Sequence, residues 1–176
     1  IASKNKPYII ATGASNIAVG DHAMHENTTA DYNVAIGVNA MRENTTGANN
    51  TVLGFNALRQ NTTGIQNVAI GRGALYTNST ASNNNAVGYQ SLAANTTGAF
   101  NNALGNYALG ANTTGSNNTA VGANALDANT TASSNTAMGS NALGANTTGD
   151  LNTAIGVNAM ANSLDNDRNV AVGYNT

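Results

Sequence analysis

Apolar and polar positions along this chain recur with a single period. Taking Asn16 as position one, the same pattern restarts at Asn33, Asn50, Asn67, Asn84, Asn101, Asn118, Asn135, Asn152 and Asn169, every step being 17 residues with no insertion or deletion. The consensus is N-[TV]-A-[IVLM]-G-x-N-A-[LM]-x-x-N-T-T-[GA]-x-x. Position three is Ala except for Val52, and position four is always large and apolar, from Val19 and Ile36 to Ile155 and Val172. Position nine is always Leu or Met, and position five is Gly in every copy. A fixed short period of this kind is the signature of a repeat architecture in which each unit stacks on the next.

The pattern within one period selects the element type. A helical repeat is excluded: each unit carries a Gly, an Asn-Thr-Thr cluster and usually a second Gly, all poor helix formers, and 17 residues cannot hold two helices with their turns. Two short strands fit better, N-T-A-I and N-A-L, separated by a Gly corner and an N-T-T-G corner. The expectation is an all-β, parallel β-solenoid whose coils stack about 4.8 Å apart, giving a rod of roughly 45 Å. Residues 12–176 form that array of nine to ten repeats, and residues 1–11 a cap or linker segment.

Stacking assigns a reason to each repeated residue. Asn33, Asn50, Asn67, Asn118, Asn135 and Asn152 at position one, with the Asn residues at positions seven and twelve, are expected to form ladders of amides. Gly37, Gly54, Gly71, Gly122, Gly139 and Gly156 are expected at a corner closed to side chains. The Ile/Val/Leu row at position four and the Leu/Met row at position nine are expected to form the dry interior, with Ala at three and eight letting layers approach. Position-two residues (Val34, Thr51, Val68, Thr119, Thr136, Thr153, Val170) alternate with position three and must face away from it. That outward row of small β-branched residues is expected to be an interface between copies, hence a homo-oligomer, with three chains around a common axis, intertwined or side by side.

Composition narrows the function classes. Net charge is -2 and only 8% of residues are charged, so there is no basis for attraction to nucleic acid or an acidic membrane surface. Zero cysteine removes disulfides and thiolate metal sites. No stretch has the apolar length of a membrane helix. Catalysis is not expected: His22 and His25 share a coil with Asp21 and Glu26, but no nucleophile, phosphate loop or acid/base pair accompanies them. Asp165 and Asp167, in the irregular stretch ANSLDNDR, lack the Gly and terminal Glu of a calcium loop. No cofactor or metal is expected.

Three further patterns bear on partners. The Asn residues at position twelve, from Asn27 and Asn44 to Asn146, all begin N-x-[ST] sequons, and Asn49 and Asn117 add two more. Sugars on every coil would crowd one another, so NTTG is read as a turn in which Asn and Thr bond local backbone and Gly supplies a positive φ. The adjacent threonines of that corner should point to opposite sides, which disfavours an ice-binding face. Position ten reads His25, Arg42, Arg59, Tyr76 down the stack, beside Glu26, Glu43 and Gln60. Arg42 and Arg59 are therefore either neutralised by Glu26 and Glu43 or, with Tyr76, form a strip for an anionic group or sugar. Tyr89 and Tyr107 join the candidates, because residues 73–126 carry no charge and aromatic rings on a neutral surface suit either glycan stacking or a chain-to-chain contact.

The segments NVAIG, NTAVG, NTAMG and NTAIG, each followed by a corner and NAL or NAM, resemble the NTAIGxxAL…NTTG arrays of phage and bacterial tail-fibre proteins. They are also similar to the β-roll heads of trimeric autotransporter adhesins, whose repeat is shorter and lacks the NTTG corner. The resemblance covers residues 12–176. It implies a trimeric fibre or adhesin segment that is extracellular, at a cell surface or on a virion, spacing a receptor-binding surface from its base. Competing readings are a glycan- or ice-binding solenoid and a subunit that stacks end to end into a filament.

Overall fold

The computed structural model describes residues 13–176, so the expected cap over 1–11 lies outside the described residues. Each period contributes one three-residue strand at positions two to four. In chain order these are β1 Ile17–Val19, β2 Val34–Ile36, β3 Thr51–Leu53, β4 Val68–Ile70, β5 Asn85–Val87, β6 Asn102–Leu104, β7 Thr119–Val121, β8 Thr136–Met138, β9 Thr153–Ile155 and β10 Val170–Val172. They form one ten-stranded parallel sheet in sequential order, each residue pairing with the residue 17 later, as in Val34↔Thr51 and Ala35↔Val52. The fold is a parallel β-solenoid of 17-residue coils.

Strand alternation places the core. Ala35, Ala69, Ala86 and their equivalents at position three point inward and are buried, except Ala18 and Ala171 of the end coils, which are half-buried. Positions two and four therefore point outward together. This corrects the expected interior: Val19 is 56% exposed, Leu53 47%, Leu104 52% and Val172 66%. The cross-section of a 17-residue coil admits one large side chain per layer, the Leu or Met of position nine, flanked by the alanines of positions three and eight. Asn residues of positions one and twelve complete the layer, buried as deeply as the leucines. The interior thus combines an apolar majority with rows of buried amides.

The expected second strand, N-A-L, is instead a pair of tight turns. Positions seven and nine both take left-handed conformations, as at Asn56 (φ 56) and Leu58 (φ 48). A left-handed non-glycine residue costs roughly 1–2 kcal/mol, whereas full burial of a Leu side chain contributes about 1.5–3 kcal/mol. Burial of the position-nine side chain is thus of the size needed to offset the strain of that residue's own left-handed conformation. Branching at Cβ makes this conformation far worse, which accounts for Leu or Met at position nine in every coil, while Val, Ile and Thr occupy most of positions two and four. Position seventeen is also left-handed, including Tyr32, Phe100 and Leu151.

The two glycine rows differ in kind. Position-five glycines have φ between +128 and +144, and a Cβ there would lie 2.2–2.5 Å from the carbonyl oxygen of the next coil's glycine wherever a further coil follows. Position-fifteen glycines (Gly47, Gly64, Gly98, Gly115, Gly149) do not have positive φ. That corrects the expected role of the NTTG glycine, whose place is a tight but not left-handed one: a Cβ on Gly47 would stand 2.3 Å from the Gly64 oxygen, yet Ala30, Ala81 and Ala132 hold the same position in other coils.

The amides act differently at each position. At position twelve they form a continuous side-chain ladder: Asn61 Nδ2 donates to Asn44 Oδ1 at 2.7 Å and Asn112 to Asn95 at 2.9 Å, while each also donates to the carbonyl three residues on. At position one, Oδ1 accepts the main-chain N–H of the next coil's Asn, as from Asn50 to Asn33 at 2.9 Å, and Nδ2 donates to the position-fifteen carbonyl 14 residues later. Position one is therefore a strap between main chains more than an amide stack. Position seven gives isolated bonds, Asn39 to Asn56 and Asn141 to Asn158, not a ladder along the whole rod.

Candidate functional site

Position-twelve asparagines are enclosed by the coils above and below them, so their sequons are inaccessible: Asn44, Asn61, Asn95 and Asn112 have no exposed surface. Asn49 and Asn117 are exposed. Expression in a glycosylating host is expected to give an intact mass carrying at most two N-glycans, both mapping to Asn49 and Asn117 by peptide analysis. A glycan on any position-twelve Asn would contradict the fold.

The two threonines of each corner separate in role. The first donates its hydroxyl to the next coil, as Thr45 Oγ1 does to the Thr62 carbonyl at 2.9 Å, and the second is exposed. In the irregular last corner, where no such threonine follows, Asp165 supplies the missing acceptor. Its Oδ1 accepts from the Thr147 hydroxyl and from the Thr148 N–H at 3.0 Å. The Thr147 hydroxyl, with help from Thr148, holds the Asp165 carboxyl below its ordinary pKa. Asp167 Oδ1 accepts the Asp150 N–H at 2.8 Å, and Asp150 Oδ1 the Ser133 N–H at 2.7 Å. The Asp/Ser residues at position sixteen are thus side-chain acceptors for the coil before. Among the described residues no group of three or more His, Asp or Glu is placed to hold a metal. His22 and His25 stand 5.1 Å apart, beside Asp21 and Glu26 respectively.

Within the position-ten row, Arg59 is paired. Arg59 Nη2 lies 3.4 Å from Glu43 Oε1, and its Nη1 donates to the Tyr76 hydroxyl at 2.8 Å with the guanidinium 5.7 Å from that ring. Arg59 is therefore held between a carboxylate and a phenol. Arg42 is half-buried, with Nε lacking a partner.

A different grouping forms further along the rod. At position six Arg72 lies between two aromatic rings, 5.6 Å from Phe55 and 5.9 Å from Tyr89. Tyr89 in turn meets Tyr107 edge to face at 5.2 Å. Hydroxyl contact with Tyr89 pushes the Tyr107 phenol above its ordinary pKa. Two surface cavities adjoin here. One of about 210 Å³ is lined by Asn56, Arg72, Gly73, Tyr76, Gln90 and Ala93. The other, of about 410 Å³, is lined by Gln90, Ala93, Tyr107, Gly110, Ala111, Asn124 and Asp127. They share Gln90 and Ala93, so they form one groove crossing several coils.

The groove has a sequence cause. Position ten carries large side chains at Arg42, Arg59 and Tyr76, then shrinks to Ala93 and Gly110 before Asp127. Position seven carries Gly73, then Gln90, Tyr107 and Asn124 as one wall. Burial raises the Asp127 carboxyl above its ordinary pKa, opposed by its own N–H and that of Ala128.

Of the candidates read from sequence, the structure brings Tyr76, Tyr89 and Tyr107 to the groove or its aromatic border, places Arg59 beside Tyr76, and leaves Arg42 away from it. Sequence reasoning missed Arg72, Gln90, Asn124 and Asp127. The signal was present: the uncharged run 73–126 is bounded by Arg72 and Asp127, and these two charges stand at the two ends of the groove.

Fold and surface together define a β-solenoid repeat protein built without insertions. No family model, curated protein or solved structure matches the chain.

Proposed function

We propose that this chain is a structural and adhesive fibre segment whose copies associate through the outward face of the sheet, three around a common axis. In this reading it works outside the cell, on a cell surface or virion, holding a receptor-binding surface away from its base. One observation carries the association: positions two and four project from all ten strands without a single charged residue. Val19, Leu53, Leu104 and Val172 lie along that strip with about half or more of their surface open, over a length of roughly 43 Å. Position four is apolar in every coil, and position two adds Ile17, Val34, Val68 and Val170 among Thr and Asn; an exposed apolar row of this length marks an interface. The occupant is a second copy of the chain, because only a surface of the same 17-residue period matches the strip coil for coil along its length. Resemblance to tail-fibre and adhesin repeats supplies the number three.

Light scattering on the purified chain is expected to give three times 17.6 kDa. Leu53→Asp with Leu104→Asp is expected to dissociate the assembly while leaving the β circular-dichroism signal in place. A stable monomer at micromolar concentration overturns the association, a mass of two chains overturns the three-fold arrangement, and open-ended polymers favour end-to-end stacking.

A further inference from the structure

We infer that the groove running from Arg72 to Asp127 is a binding site for a short neutral oligosaccharide. It lies on the turns of positions six to eleven, apart from the sheet face, and needs no second copy to be complete.

The lining specifies the ligand class. Neither cavity has a Leu, Ile, Val or Met among its lining residues, so its apolar surface comes from Tyr rings and the alanines Ala93 and Ala111, interspersed with polar groups. What the groove offers is three side-chain amides, Asn56, Gln90 and Asn124, each with donors and an acceptor, and two phenols, Tyr76 and Tyr107. Tyrosine combines an apolar ring, suited to the C–H face of a sugar, with a hydroxyl that bonds at its rim. Asp127 at one end accepts paired hydroxyls. It also disfavours a polyanion, whose charge Arg72 alone would have to neutralise. Arg72, held between the Phe55 and Tyr89 rings, lines the opposite end.

A peptide fits less well, because strand addition requires free main-chain groups. Here those groups are spent between coils: Gln90 N–H donates to the Arg72 carbonyl, Tyr107 N–H to Tyr89, Ala94 N–H to Gly110 and Ala111 N–H to Asp127, at 2.9–3.1 Å. Recognition must therefore pass through side chains. From Arg72 to Asp127 the groove crosses three coil spacings, about 14 Å, a length for a short oligosaccharide and not for a single sugar. The larger cavity, about 410 Å³, is of the size found for small-molecule sites, and the smaller, about 210 Å³, extends it.

The test is a printed array of neutral and acidic oligosaccharides probed with the intact chain, followed by calorimetry on the best neutral binder. Saturable binding to a neutral oligosaccharide is expected. Ala93→Arg fills the groove with the side chain that the same position already carries at Arg59. It is expected to reduce affinity on the order of tenfold or more with an unchanged melting temperature, as is Tyr107→Ala. Asp127→Asn keeps one acceptor and is expected to lose less. Absence of saturable binding by the folded chain, preference for acidic sugars alone, or full binding by Ala93→Arg would each overturn the proposal. Because association is read by mass and sugar binding by calorimetry, failure of one leaves the other measurable.

Discussion

Asn95→Ala is expected to destabilise the rod by about 3 kcal/mol, far more than its small loss of volume. Asn95 Nδ2 donates to Asn78 Oδ1 at 3.0 Å and to the Gly98 carbonyl at 2.9 Å, and its Oδ1 accepts from Asn112. Removing the amide leaves Asn78 Oδ1 buried with no donor and takes one partner from each of the other two groups. A buried unsatisfied polar atom costs about 1–3 kcal/mol, and water cannot enter a ladder whose members have no exposed surface. Asn85 provides the control. Its Nδ2 donates to Asn102 Oδ1 at 2.7 Å in the same amide-to-amide geometry, but on the exposed sheet face. Asn85→Ala is expected to change stability by less than about 0.5 kcal/mol. Urea denaturation of both variants checks the difference, and equal costs would mean that burial does not set the strength of the ladder. Hydrogen exchange should locate the Asn95→Ala effect in the coils bearing Asn78 and Asn112, since stability in a stacked array is felt first by nearest neighbours.

How much of this was legible beforehand varies by residue. The period, the parallel pairing and the inward Ala35 and Ala69 follow from spacing alone, because a register repeated without insertion leaves one way to stack. The placement of Ile36 and Leu53 was equally available and was misread. If Ala35 faces inward, strand alternation forces both Val34 and Ile36 outward, however apolar Ile36 is. Leu58 was correctly expected inside but in the wrong conformation. A left-handed leucine has no sequence signal except the missing Val and Ile at its position. The groove was half legible. Tyr76, Tyr89 and Tyr107 stood out as aromatics in a neutral stretch. Their relation to Gln90, Asn124 and Asp127 depends on how positions seven and ten adjoin across coils, which a one-dimensional pattern does not state.

Gly105→Ala is expected to cost at least about 3 kcal/mol, whereas Gly98→Ala costs no more than about 1 kcal/mol. Clearance alone ranks them the other way. A Cβ on Gly105 would meet the Gly122 oxygen at 2.4 Å, and one on Gly98 the Gly115 oxygen at 2.2 Å. The position-fifteen carbonyl can yield, however, since Ala30, Ala81 and Ala132 already occupy that place in three other coils and are buried there. What cannot yield is the dihedral: Gly105 has φ +143, a conformation that L side chains rarely adopt, while Gly98 does not have positive φ. Alanine at 105 must either accept that strain, of roughly 1–3 kcal/mol, or rotate out of it. Rotation would displace the Gly105 N–H from the Val87 carbonyl, which it meets at 2.8 Å, and with it the register of β6 against its neighbours. Thermal denaturation of the two variants side by side gives the answer. A drop in melting temperature for Gly98→Ala that matches Gly105→Ala would show that close approach, not dihedral angle, fixes glycine at both corners.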